Sequence, residues 1–212
     1  MPKYPAVYSY KKSWTRELEL SIESLRNIEE WDGNLIIIGD KPDLTLDYLH
    51  YPIKYTWGKG SKSNDEICAY LTASDFLDEF IIMADDIFVL ERWSLEYQNR
   101  GTLEEHSRTR IRSDTYGRTI QATKDFLELN NMETLSYDLH IPFLVNAEQL
   151  KDCAEIIRIN KPMLIRSIIG NWFEIPSKKA EDPKNKPLTK DTVLYSSSDN
   201  TFNYERVRKY LK

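Results

Sequence analysis

The chain is short of the residues that build cross-linked or metal-studded folds. Its two cysteines, Cys68 and Cys153, stand far apart and in no metal-ligand spacing, which excludes a disulfide scaffold and a cysteine zinc site and fits a reducing cytoplasm. No apolar run approaches the roughly 20 residues needed to span a bilayer. The opening Met1-Pro2-Lys3-Tyr4-Pro5 leads into mixed polar sequence rather than the apolar core of a signal peptide, so a cytoplasmic location is expected. There is no Walker phosphate loop and no internal repeat. Positive charge is also in deficit: 29 Lys and Arg against 34 Asp and Glu give a net charge of −5, with a pI near 5.4. That balance argues against broad attraction to a nucleic-acid backbone, leaves room only for a local basic patch, and points away from a metal nuclease. An anionic substrate then needs a metal ion or a few placed Lys and Arg.

What the chain does have is core material. An apolar fraction of 41%, with 12% aromatic residues, supports a packed interior, and 30% charged residues give it a soluble surface. A length of 212 residues suits one α/β domain, with or without a small appendage. The most informative stretch is Phe80-Ile81-Ile82-Met83-Ala84-Asp85-Asp86-Ile87-Phe88-Val89-Leu90, in which adjacent carboxylates interrupt two short apolar runs. Buried strands do not tolerate such charge without compensation. A strand from Phe80 to Met83 in an open α/β sheet delivers Asp85 and Asp86 to the rim where ligands bind, and there a divalent cation, Mg²⁺ or Mn²⁺, supplies the compensation. The plain alternative is a solvated turn between two strands, where Asp is common.

Upstream, Ala6 to Tyr10 reads as a strand. Leu18, Ile22, Leu25 and Ile28 recur at helical spacing from Trp14 to Glu29, with Ser13 as N-cap. The run Asn34 to Asp40 reads as a parallel strand buried on both faces, so strand, helix and strand form a βαβ unit with both strand ends on one rim. Leu44 to Tyr51 is expected to hold a helical turn and Pro52 to Trp57 a third strand. Gly58-Lys59-Gly60-Ser61-Lys62-Ser63-Asn64 is a cationic, donor-rich loop, either one that approaches a phosphate or sugar or an ordinary surface loop. A helix from Asp65 to Leu77 then leads into the Phe80 strand.

Beyond Leu90, the polar stretch Ser94 to Arg112 predicts an exposed helix or an ordered flap; Arg92, Arg100, Arg108, Arg110 and Arg112 either touch phosphates or belong to a solvated face. A short helix is expected over Thr119 to Leu129. Leu139, Ile141 and Phe143 alternate as in a half-buried strand from Tyr137 to Val145, with Pro142 barring a central position. His140 is then either a hydrogen-bonded histidine beside the core, a metal ligand or a general base. Asn146 caps a helix from Ala147 to Ile159, and Pro162 opens another through Trp172. Pro176 to Thr189 offers almost nothing to bury and reads as a mobile loop, either a lid or an idle one. Asn203 to Lys212 forms a short basic helix or arm. The expected organisation is an α/β core over 1–145 and a helical C-terminal extension over 146–212 of the same domain, containing the 176–189 loop.

The early strand and amphipathic helix, the Ile-Ile-Ile-Gly-Asp strand, the Ser63-Asn64 helix start, the Asp-Asp strand and Leu139-His140-Ile141-Pro142 follow one another as in GT-A-like glycosyltransferases. More narrowly, over roughly residues 6 to 145, the order resembles the Stealth sugar-phosphate transferases, although the compact single domain points to a plain glycosyltransferase of phage or bacterial type. The resemblance implies a Rossmann-like, mostly parallel central sheet flanked by helices. It also implies a nucleotide diphosphate sugar as donor and a carbohydrate or other hydroxyl as acceptor. The family's Asn-Asp-Asp element falls on Ala84-Asp85-Asp86, without its Asn, and its His-x-Pro element on His140-Ile141-Pro142. Asp85, Asp86 and His140 are thereby the implied metal ligands for Mn²⁺ or Mg²⁺, with His140 and Asp86 catalytic. Asp40 would contact the base or ribose, and Lys59, Lys62, Ser63 and Asn64, with Asp85, the rest of the donor. The family's early Trp-Val-Asp-like element has no counterpart around Tyr8-Ser9-Tyr10. Plain glycosyl transfer is the first expectation; transfer of a sugar 1-phosphate at the same site, and a non-catalytic nucleotide-sugar-binding protein, stand beside it.

Overall fold

Strand β1, Tyr4–Tyr10, sorts the rest of the chain onto two faces. Ala6, Tyr8 and Tyr10 face one apolar cluster and Val7 the other, as the two-residue period of a strand requires. The computed structural model describes residues 1–11, 15–53, 62–108, 114–159, 162–198 and 201–211. Helix α1, Thr15–Ser24, continues into a 3-10 turn over Leu25–Asn27. It buries Leu18, Ile22 and Leu25 on the Tyr8 face, with Ile28 behind them, as their spacing predicts. Ser13, the expected cap, lies outside the described residues.

Strand β2, Trp31–Gly39, pairs parallel with β1. Its Ile36 and Ile38 face the Val7 cluster and Leu35 and Ile37 the other. The third strand differs from expectation. β3 is Leu49–Tyr51, parallel to β2, and no helical turn occupies 44–51. Pro52, which has no N–H for the ladder, ends the strand where it was expected to begin. Tyr51 instead stacks on Phe76, ring centroids 4.4 Å apart. The rest of that stretch, from 54, is outside the described residues, as are Lys59, Arg110 and Arg112.

Helix α2, Lys62–Ser74, returns the chain to β4, Glu79–Met83, which pairs parallel with the free side of β1. Short strand β5, Ile87–Val89, follows the acidic pair. Next come β6, Gln98–Asn99, helix α3, Leu103–Arg108, and helix α4, Thr115–Leu129. The 94–112 region is not simply exposed: Asn99, Leu103, His106 and Ser107 are buried. β7, Phe143–Asn146, joins β4 antiparallel. The alternation from Leu139 to Phe143 correctly marks buried residues, but hydrogen-bonded strand begins only after Pro142. Asn146 Oδ1 accepts from the N–H groups of Glu148 and Gln149, at 3.1 and 3.2 Å, capping α5, Ala147–Ile159.

Helix α6, Ile165–Trp172, closes the face shared with α2, α4 and α5. The C-terminal part is not purely helical. β8, Lys178–Lys179, pairs with β6, and β9, Leu194–Ser196, pairs antiparallel with β5, before helix α7, Tyr204–Tyr210. The fold is thus α/β, with a five-stranded sheet in the order β3-β2-β1-β4-β7, parallel but for β7, and helices on both faces.

Gly39 ends β2 at φ +123°, and a Cβ there would stand 2.3 Å from the backbone oxygen of Tyr10. Backbone cannot yield as a side-chain tip does. Gly39→Ala is expected to destabilise the chain by about 1–3 kcal/mol in urea unfolding. Gly33→Ala, at φ +92° with open space around the new methyl, is expected to cost less; equal losses would show that the contact with Tyr10 is not what matters.

Candidate functional site

Because β1 to β4 run parallel, the residues after them gather on one rim: Lys11 after β1, Asp40 after β2, Asp85 and Asp86 after β4. Chain order reverses between β1 and β4, and such a switch point opens a crevice beyond the strand ends. The acidic turn is tied down from beneath. Ser21 Oγ, fully buried, lies 2.9 Å from the Ala84 oxygen, 2.7 Å from the Ile87 oxygen and 3.0 Å from the Tyr8 hydroxyl. With one proton, Ser21 donates to one carbonyl at a time and accepts from Tyr8. Ser24 Oγ accepts from the N–H of Val89, and Asn27 Nδ2 donates to its oxygen. Burial, with the Asp85 charge adding to it and Ser21 opposing, raises the Tyr8 phenol above its ordinary range.

Above the turn runs a line of charged and polar groups drawn from four distant segments. Asp86 Oδ2 accepts from Lys184 Nζ at 3.0 Å, and the same ammonium lies 2.9 Å from His140 Nε2. An ammonium only donates, so Nε2 carries the lone pair and Nδ1 the proton. That proton points at Asp182, whose two carboxylate oxygens are each 3.1 Å from Nδ1. Asp182 Oδ2 also accepts from Arg100 Nη1 at 3.2 Å, and Arg100 in turn donates to His106 Nε2 at 3.1 Å. Burial raises the Asp182 carboxyl, but bonds from His140 and from the backbone N–H groups of Lys184 and His140 outweigh it and hold the group well below the usual carboxylate range. The stability this shift contributes is fully present above the unfolded value, about pH 4, and is lost only as acid protonates the folded group.

A cavity of about 100 Å³ opens beside Asp86 and His140, walled by Glu66 and Tyr70 of α2, by Asp138, and by Arg166 of α6. Arg166 Nη1 donates to the oxygens of Leu139 and Ile141, at 2.9 and 3.0 Å, and so fixes the backbone around His140.

Of the residues expected from sequence, Asp86 and His140 meet, bridged by Lys184. Asp85 shares the turn but does not line the cavity. Asp40 is exposed on the same rim, and Lys62, Ser63 and Asn64 form the start of α2. Asp182, Lys184 and Arg166 were not expected in the site, and Arg100 stood only among five arginines that either touch phosphates or lie on a solvated face. Lys184 and Asp182 come from the 176–189 segment, which does have residues to bury, Pro183 and Leu188. Two of the three side chains foreseen as ligands of a divalent ion, Asp86 and His140, are bonded to the Lys184 ammonium.

No protein-family model and no curated protein matches the chain. Among solved structures, it is similar to the apo form of the glycosyltransferase GlyE from Streptococcus pneumoniae TIGR4, at 13% identity and a TM-score of 0.48 over 98% of this chain and 60% of that one. A second GlyE structure aligns at 11% identity and a TM-score of 0.40, over 85% of this chain and 45% of the other. The chain therefore spans less than two thirds of the length of either neighbour.

Proposed function

We propose that the chain transfers a sugar from a nucleotide diphosphate sugar to an acceptor hydroxyl. The observation that carries this reading is the meeting of Asp86 and His140, bridged by Lys184, in the wall of a cavity on the carboxyl rim of a parallel sheet. In this reading the donor diphosphate lies along the rim between β1 and β4. Asp40, two strands from β4 and roughly 10 Å across the sheet, accepts hydrogen bonds from the nucleoside. Lys62, Ser63 and Asn64 open α2, whose N-terminal end favours anions, and serve the phosphates or the sugar.

The bond from the anomeric carbon to the diphosphate oxygen breaks, and its electron pair leaves with the nucleoside diphosphate. The acceptor oxygen forms the new bond to that carbon, and its proton passes to His140 Nε2. Asp182, bonded to Nδ1, holds the ring in the tautomer that leaves Nε2 able to accept and stabilises the imidazolium that results. Asp182 acts through His140 and is a positioning residue.

His140→Ala is expected to lower kcat by roughly 10²–10⁴-fold while donor affinity, measured by calorimetry, stays near wild type; unchanged turnover would remove His140 from the chemistry. Product analysis tests the reaction itself. A panel of nucleotide sugars with hydroxyl acceptors is expected to yield nucleoside diphosphate. Nucleoside monophosphate would mean transfer of a sugar phosphate at the same site, and bound donor with no product would mean a binding protein.

A further inference from the structure

We propose that Lys184 is the resident cation of this site, so that an ammonium, rather than a divalent ion, meets the negative charge on the departing diphosphate. The inference rests on the transfer reading above. Its first ground is position. The Nζ atom stands 3.0 Å from Asp86 Oδ2 and 2.9 Å from His140 Nε2, bonded to two of the side chains that a divalent ion was expected to take as ligands. Oxygen and nitrogen ligands approach such ions at about 2.0–2.2 Å, so ammonium and metal cannot both be present there.

The second ground is that the backbone builds Lys184 into place. Lys184 forms a bridge with Ser196 of β9, and Ile87, which follows Asp86, pairs with that same Ser196. The Asn185 N–H donates to the Ser196 oxygen at 2.7 Å, and the Ser197 N–H donates to the Asp86 oxygen at 3.1 Å. Lys184 and Asp86 are thus 98 residues apart in sequence but flank one strand. The Lys184 N–H also donates to Asp182 Oδ1 at 3.1 Å, which ties the lysine to the partner of His140.

The third ground is shelter. Only 26% of the Lys184 side chain and 19% of that of Asp86 are exposed, so the ion pair is less screened than one at an open surface. Arg166, in the wall of the same cavity, directs its donors to carbonyl oxygens and adds positive charge there.

One movement then serves both halves of the reaction. When the Lys184 ammonium turns from His140 Nε2 to a diphosphate oxygen, it stabilises the leaving group, and the nitrogen it vacates takes the acceptor proton. Asp86 stays bonded to the ammonium and keeps it aimed.

The test compares the wild-type chain with Lys184→Ala and Lys184→Arg in the presence of a chelator. Wild-type turnover is expected to be unchanged by chelator or by added Mn²⁺. Lys184→Ala is expected to lose roughly 10²–10³-fold in kcat and about tenfold or more in affinity for UDP and GDP, read by calorimetry. Lys184→Arg, keeping the charge, is expected to retain most of that affinity. Electron paramagnetic resonance of Mn²⁺ is expected to find no ion on the wild type that Asp86→Asn releases. Chelator-sensitive turnover restored by Mn²⁺ would overturn the proposal, as would Mn²⁺ bound through Asp86, or a Lys184→Ala chain as active as wild type in chelator. If Lys184→Ala fails to fold, the chelator and Mn²⁺ measurements on the wild type decide alone. If no nucleotide sugar binds the wild type at all, it is the transfer reading that fails.

Discussion

An ammonium held between a carboxylate and an imidazole is the interaction on which the rest of the site depends. Along the line Asp86, Lys184, His140, Asp182 and Arg100, anions and cations alternate around one imidazole, and two carboxylates balance an ammonium and a guanidinium. Partly buried charges are tolerated when each has an opposite partner and its remaining donors or acceptors are met. Here that condition is satisfied only when segments around residues 86, 100, 140 and 182 have all docked. Polar networks of this kind behave as units, because each bond polarises the next.

The sheet provides what such a network needs, a fixed floor. Parallel pairing of β1 with β2 and β4 puts the strand ends side by side, and the hydroxyls of Ser21 and Ser24, projecting from α1, grip the carbonyl and amide groups around the acidic turn. The opposite wall is set by Arg166, whose two bonds hold the chain around a histidine that lies in no regular element. Rigid elements on both sides thus determine the separation of Asp86 and His140, and the lysine fills it.

Much of this was legible in the chain itself. The Ile36-Ile37-Ile38 run, the helical spacing of Leu18, Ile22 and Leu25, and the Asn146 cap are local signals and fell where expected. Asp86 and His140 were legible because an acid pair between apolar runs and a histidine beside Pro142 are locally odd. Lys184 and Asp182 were not, since they sit among many other charged residues and only β9 pairing with β5 gives them meaning. The 94–112 stretch misled for the same reason. Its charge suggested a solvated face, whereas Arg100 finds Asp182 across 82 residues and His106 packs against Ser136. The early end of β3 reflects a purely local fact, the missing N–H of Pro52, that was outweighed in the sequence by the β-prone residues after it.

The pairing of β9 with β5 has a consequence for how the molecule comes into being. The ribosome releases β1 to β4 well before residues 182–196, and N-terminal structure generally forms first. During that interval the nascent chain has its acidic turn and its histidine but no lysine between them, and the carboxylate of Asp86 faces water alone. The line of charges therefore closes late in translation, as a single stitching event, and a chain interrupted before residue 194 would have its sheet but not the strand that seats Lys184.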